Sequence, residues 1–331
     1  MPLDLLVPRL LPPADAPTEM TALRLPALER WLAAAELSQH PATGPYAWLA
    51  AEFGVAEPAP VASIALAAER GAAEGTWLRA DPVHLRIDRD AVRLHSAAVL
   101  DIERAEADAL VDTLQKHFGG DGLEFVAPSP ERWYLRVPAG EAPATTPLPN
   151  ILGRSVHEHL PRSSGAINWR TALTEAQMLM GAHEVNVRRE SAGRPAINSV
   201  WFWGEGERPS KVSSRYNLVA AEDRFACGLA VLSGSRSGGP GAIPDDISRE
   251  SRVLVMEEAL AHALERSDIP AWREAAEKFD AAWFAKMGDS LARFGAIRVI
   301  LPRDRDTLVA TLKRPSLFDR LRTPKALAAY A

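Results

Sequence analysis

Residues 183–206 read HEVNVRRESAGRPAINSVWFWGEG, and this run holds the densest set of groups in the chain that can grip an anion. Arg188, Arg189 and Arg194 offer planar guanidiniums suited to bidentate recognition of phosphate or carboxylate, and His183, Asn186 and Asn198 stand beside them to hold a ligand hydroxyl. In a turn-rich segment the same side chains serve equally to satisfy the segment's own carbonyls. Trp201 and Trp203 share one face of the strand that follows, and Gly204 and Gly206 permit close backbone approach, to a phosphate or to a packed domain junction. The ligand-binding set read from the run is His183, Asn186, Arg189, Arg194, Asn198, Trp203 and Gly204.

Other groupings are thinner. The loop SGSRSGG at 233–239 has amides and Arg236 to cradle an anion, but not the Gly-Lys-Ser/Thr ending of a P-loop. Glu257 and Glu258 with Asp245 and Asp246 have the chemistry of an acid and base pair, or of solvated surface charge. Asp81, His84, Asp88 and Asp90 alternate along one segment as oxygen and nitrogen donors for a cation, and His157 and His159 would form a ligand pair if extended. No catalytic residue is assigned from these patterns, and no metal ligand.

The elements that must position these groups are legible from periodicity. An apolar strand at 3–11 is broken by the prolines of 12–17; helices follow from Thr18 with a restart near Pro26, at 46–53 and at 61–68. From Thr76 the pattern turns to period two, giving a β-β-α-β piece whose helix, 103–118, repeats Leu110, Leu114 and Phe118. Residues 138–149 form a linker, 169–183 a helix, INSVWFW a strand, and GLAVLSG a buried strand running into a Gly- and Pro-rich loop. The last third alternates VLVMEE as strand, 269–294 as helix and IRVIL as strand, a βαβ rhythm, before a basic tail at 313–325.

Length alone, 331 residues, suggests two domains. A net charge of −5, from 38 basic and 43 acidic residues, gives no general attraction for nucleic acid, and the longest uncharged apolar stretch, 58–68, is too short to cross a bilayer. The N-terminal stretch has no basic region or cleavage site of a signal peptide, and the single Cys227 suits a reducing compartment, so the cytoplasm is expected.

The run at 183–206 resembles the archaeal-type cofactor-independent phosphoglycerate mutases, with His183, Val185, Asn186, Arg189, Gly193, Pro195, Asn198, Trp201, Trp203, Gly204 and Gly206 in place and Glu184 replacing a proline. It also resembles the RpfE-type proteobacterial regulatory proteins, read as the closer relatives. Weaker similarity in LRLPALERWLAAA, WLRADPVHL and GLAVLSG carries the resemblance over most of the chain. It implies an α/β fold of the alkaline phosphatase superfamily: a discontinuous core of 1–75 and 200–331 whose sheet is flanked by helices, with a smaller α+β domain, 76–199, inserted into it.

The resemblance also implies a serine nucleophile between two divalent metals held by Asp and His. The place of the first ligand reads VPRLLPP, with Asp15 the nearest carboxylate; MEEALAHALERSD offers Glu257, Glu258, His262 and Asp268 at other spacings; LPRDRD offers Asp304 and Asp306 without histidine. Ser63 matches the nucleophile by position alone. The expectation is a degenerate, regulatory relative that needs no cofactor and binds a small phosphorylated or acidic metabolite or a protein partner, not nucleic acid or membrane. The alternative is a mutase-like phosphotransferase or phosphohydrolase with a rearranged Mn²⁺ or Zn²⁺ site using Asp304, Asp306 and His262.

Overall fold

The structure is a computed structural model. It describes residues 3–13, 16–71, 74–88, 91–152, 155–163, 165–239, 251–285, 287–314, 319 and 322–331. Two compact units emerge: Met1–Glu57 with Lys211–Ala331, and Pro58–Ser210.

The first unit begins with β1 (Leu3–Leu6), buried at all positions. Pro8 and Arg9, the latter in the left-handed region at φ 63°, end it short of the expected residue 11. After a single turn, α1 (Thr18–Thr21), comes α2 (Pro26–Ala34), which starts with proline at its first position as the sequence suggested. Its opening amides are capped from elsewhere in the unit: Leu28 N and Ala27 N donate to Asp280 at 2.6 and 3.2 Å. Next come β2 (Glu36–His40), a polar strand the hydrophobic pattern did not reveal, and α3 (Gly44–Glu52), which buries Trp48 and Leu49.

The second unit runs through α4 (Val61–Arg70), β3 (Thr76–Asp88), β4 (Ala91–His95), α5 (Arg104–Phe118), β5 (Glu124–Ser129), β6 (Arg132–Val137), α6 (Trp169–Gly181), α7 (Glu184–Ser191) and β7 (Ser199–Glu207). Its strands form an antiparallel sheet ordered β4-β3-β6-β5, with β7 also paired to β3. The helix at α5 buries Ala107, Leu110, Leu114 and Phe118, the stripe expected from its periodicity, and a reciprocal capping box of Glu103 and Glu106 starts it. These side chains join Trp133, Trp169 and Phe202 in one core. The expected boundaries at 75/76 and 199/200 differ from those observed because α4 packs on β3 and β7. Gly204, at φ 67°, lets β7 approach so closely that a Cβ there would meet Val61 Cβ at 2.9 Å.

The chain then returns to the first unit through β8 (Leu218–Ala220), α8 (Arg224–Ser233), β9 (Arg236–Gly238), β10 (Val253–Met256), α9 (Ala259–Glu265), α10 (Ile269–Phe279), α11 (Met287–Phe294), β11 (Ile297–Pro302) and β12 (Thr307–Leu312). Three expectations are corrected. GLAVLSG is helix: the Asp223 side chain caps α8 by accepting from Ala226 N, and Gly234 in the left-handed region closes it. The helix at 269–294 is two helices around a π-turn at Asp280–Phe284. The basic tail is preceded by β12, and beyond it Leu327 and Tyr330 are buried in the unit's core.

The sheet of this unit is ordered β2-β12-β11-β1-β10-β8-β9. Strands β11, β1, β10, β8 and β9 are parallel, and β12 and β2 extend the sheet antiparallel. Of the parallel strands, β1, β8, β10 and β11 read as nearly continuous apolar runs because they are largely buried, whereas β9 is short, polar and exposed. Asp4 in β1 breaks that rule at 1% exposure. It accepts from Arg298 Nε at 2.7 Å and Tyr216 Oη at 2.6 Å, and Tyr216 also reaches Glu52 at 3.0 Å, so the buried charge is fully engaged. Burial and the charges of Asp4 and Glu52 push the Tyr216 hydroxyl's pKa far up. No helix among the described residues is long and apolar enough to cross a membrane.

Candidate functional site

Parallel strands bring their C-terminal ends to one edge of the sheet, where open α/β sheets place their chemistry. In the first unit that edge carries Val7–Arg9 after β1, Glu222 and Asp223 after β8, Glu257 and Glu258 after β10, and the turn from β11 to β12. Glu258 is 6% exposed, and its Oε2 accepts from Glu222 N at 2.7 Å. Burial, then the neighbouring charge of Asp223, pushes its carboxyl up to about 8, and the Glu222 amide only partly offsets this. Asp223 is held in turn: Oδ1 accepts from Ala226 N at 2.9 Å and Oδ2 from Tyr46 Oη at 3.2 Å. The edge thus holds two neighbouring carboxyls, of which Glu258 is the one that burial biases toward its protonated form, able to donate to a ligand oxygen.

A recess of about 480 Å³, lined by Glu257 and Ala259 but not by Glu258, opens among α9, α10 and the π-turn. Phe279 and Trp283 give it an apolar wall, and Glu257, His262, Arg266 and Asp268 stand on its rim. Its volume suits a small metabolite.

The seven residues expected to bind ligand all fall in the second unit, and the structure gives each an internal partner. His183 caps α7 through Nδ1, which accepts from Val185 N at 3.1 Å. Asn186, buried, donates to the carbonyls of Met180 and Ile197 and accepts from Ile197 N. Arg189 is 1% exposed: its Nε donates to Pro195 O at 2.8 Å, one Nη to Glu106 at 2.6 Å, and the other to Leu100 O. Arg194 reaches Glu103, Glu106 and Asp101 O. Asn198 exchanges hydrogen bonds with the Leu85 backbone and so extends the β3–β7 ladder by one side chain. Trp203 Nε1 donates to Asp81 at 2.7 Å, and Gly204 is explained by its approach to Val61. The segment read as turn-rich is α7, and Arg188 on its exposed face pairs with Glu184 at 3.8 Å.

The thinner groupings also resolve. Ser63 lies in α4 at 0% exposure with its Oγ on Pro60 O, so no nucleophile is presented there. Asp81 is buried against Arg79 and Trp203, and burial raises its pKa; it lies on the strand face opposite His84. His84 instead stands across from His95. Desolvation, then the charges of His84, Arg86 and Arg93, lowers the His95 pKa. His157 and His159 sit in a short 3-10 turn rather than an extended pair. Arg236 lies in β9. The Cys227 thiol is buried, and desolvation raises its pKa. Asp15, Asp90, Asp245, Asp246 and the Asp88 side chain lie outside the described residues.

No family model matches the chain. Over 272 residues it is 26% identical to the probable 2,3-bisphosphoglycerate-independent phosphoglycerate mutase of Geobacter sulfurreducens, covering 75% of this chain and 67% of that one. Over 179 residues it is 31% identical to 2,3-bisphosphoglycerate-independent phosphoglycerate mutase 2 of Methanothermobacter thermautotrophicus, covering 50% and 43%. The chain is homologous to the cofactor-independent phosphoglycerate mutases. The fold agrees with the solved structure of PH0037 protein from Pyrococcus horikoshii at a TM-score of 0.56 and 14% identity, over 99% of this chain and 91% of that one. Alignment with the Methanothermobacter relative spans less than half of that relative's length.

The two-metal chemistry implied by the resemblance needs ligands after β1, β10 and β11, and among the described residues the groups at those places do not fit it, being engaged within the protein. After β1 stand Val7, Pro8 and Arg9, with the Arg9 carbonyl accepting from Trp272 Nε1 at 2.8 Å. After β10, Glu258 is buried and accepts from Glu222 N at 2.7 Å. After β11, Asp306 is clasped by Arg303 at 2.6 and 2.7 Å within the hairpin turn. Among the described residues no three His, Cys, Asp or Glu side chains converge as a metal site, so Asp304, Asp306 and His262 do not form one.

Proposed function

We propose that this chain is a regulatory member of the wider mutase kinship, of the RpfE type, which binds a small acidic or phosphorylated metabolite without two-metal phosphoryl transfer. The observation that carries this reading is the commitment of the strand-end carboxyls to partners within the protein: Glu258 to the Glu222 amide and Asp306 to Arg303. A carboxyl whose pKa is raised yields its proton to Mn²⁺ less readily and donates to a ligand oxygen more readily. The recess lined by Glu257 and Ala259 supports a binding role, with His262 and Arg266 as donors for an anionic group and Trp283 for the carbon skeleton.

A thermal-shift titration with 3-phosphoglycerate and related sugar acids, with and without Mn²⁺, tests this. Ligand at a hundred times its Kd stabilises a fold by about 2.7 kcal/mol. The expected result is a shift independent of Mn²⁺ and lost in His262→Ala. A shift that requires Mn²⁺ would point instead to a phosphotransferase with a rearranged metal site.

A further inference from the structure

Strands β3 and β4 of the second unit pair antiparallel with His84 directly opposite His95, Leu85 opposite Leu94 and Arg86 opposite Arg93. Side chains alternate along a strand, so His84 and His95 emerge on the same face as immediate neighbours. Their ring centroids are 6.0 Å apart with planes inclined by 41°. Both rings are half-buried, which restricts their motion while leaving one side open to solvent.

The His84 ring is also oriented. Its Nδ1 lies 2.8 Å from Ala196 O, and a carbonyl oxygen can only accept, so Nδ1 carries a hydrogen and Nε2 is the nitrogen available to a metal ion. A backbone carbonyl that fixes tautomer and ring plane in this way is the usual support behind a metal-ligating histidine. Two imidazoles bound to one ion at about 2.0–2.1 Å per nitrogen place their centroids roughly 5–6 Å apart, depending on the angle at the metal. The observed separation falls at the upper end of that window, within reach of a small side-chain rotation.

We propose that His84 and His95 form a two-histidine site for a borderline divalent transition-metal ion, Zn²⁺ or Cu²⁺. Among the described residues no third protein donor joins them, so water or an exogenous anion completes the coordination. Arg86 and Arg93, the next cross-strand pair on that face, add positive charge. They disfavour hard ions held mainly by electrostatics, such as Mn²⁺ and Mg²⁺, and leave ions with strong bonds to imidazole. The site lies on the sheet of the second unit and is independent of the strand-end carboxyls of the first.

Isothermal titration of the metal-stripped full chain with Zn²⁺ at pH 7.5 tests it. One equivalent should bind, at least tenfold more weakly in His84→Ala and in His95→Ala, and with unchanged affinity in a His157→Ala, His159→Ala control. His84→Ala also loses the bond to Ala196 O, so His95→Ala, which breaks no hydrogen bond seen here, decides the matter if the first variant unfolds. Absence of Zn²⁺ binding, or equal binding by wild type and His95→Ala, would overturn the site.

Discussion

Glu258 takes up a proton on folding over the interval between its ordinary value of 4.5 and about 8. Its contribution to stability is therefore fully present below pH 4.5 and is lost as pH rises through about 8. Glu258→Gln keeps a neutral side chain at every pH, so the difference in stability between wild type and variant should change by on the order of 4 kcal/mol from about pH 5 to about pH 9, with wild type losing ground. Urea midpoints of both proteins across that range measure it; parallel curves would contradict the buried acid. Arg189 gives the opposite lesson, because its donors are spent on Pro195, Glu106 and Leu100. Arg189→Ala should lower stability by roughly 3 kcal/mol, since it removes one partner of a buried ion pair. Loss of metabolite binding with an unchanged unfolding midpoint would instead make Arg189 a ligand donor. Sequence could mark Arg189 and Asn186 as unusual, because guanidiniums and amides in one run are visible. It could not show that their acceptors are carbonyls near residues 100, 180 and 197, which are contacts made by the fold. Glu258 was noticed only as one of several acids, since burial has no signature in a pair of adjacent glutamates.

At the level of elements, α5 was legible because a capping box and a helical apolar stripe agree over fifteen residues. By contrast, GLAVLSG is apolar all round, and a short run of that kind reads equally as strand or buried helix; the Asp223 cap was the discriminating signal. Asp223→Ala should cost about 1 kcal/mol through α8, and circular dichroism thaw curves would register it as a lower unfolding midpoint. Strand β2 escaped notice because ELSQH carries a single large apolar residue and is held by pairing with β12 rather than by its own pattern. Gly204 illustrates packing that residue type hints at and geometry decides. Gly204→Ala forces a Cβ against Val61 at positive φ, so it should destabilise the second unit by about 1–3 kcal/mol, visible in a chemical-denaturation midpoint. An unchanged midpoint would show that β7 can move away from α4.

Across the whole molecule, the alternation of helices, period-two strands and a βαβ ending foretold a mixed α/β chain, and the elements follow that order; that the first of the two units is discontinuous was implied by the resemblance alone. Their edges were less legible, since α4 and β7 look in sequence like pieces of the first unit and pack with the second. Homology to the mutases fixes the kinship without fixing the chemistry, because chemistry resides in side chains at the strand ends rather than in the sheet. In this chain those ends carry Arg9, a buried Glu258 bound to the Glu222 amide and an Asp306 clasped by Arg303. The decisive measurement is conversion of 3-phosphoglycerate to 2-phosphoglycerate by the purified full chain in excess Mn²⁺, followed by phosphorus NMR. The arrangement of the strand ends calls for no conversion above a protein-free control, whereas Mn²⁺-dependent conversion that disappears in Glu258→Gln would contradict it.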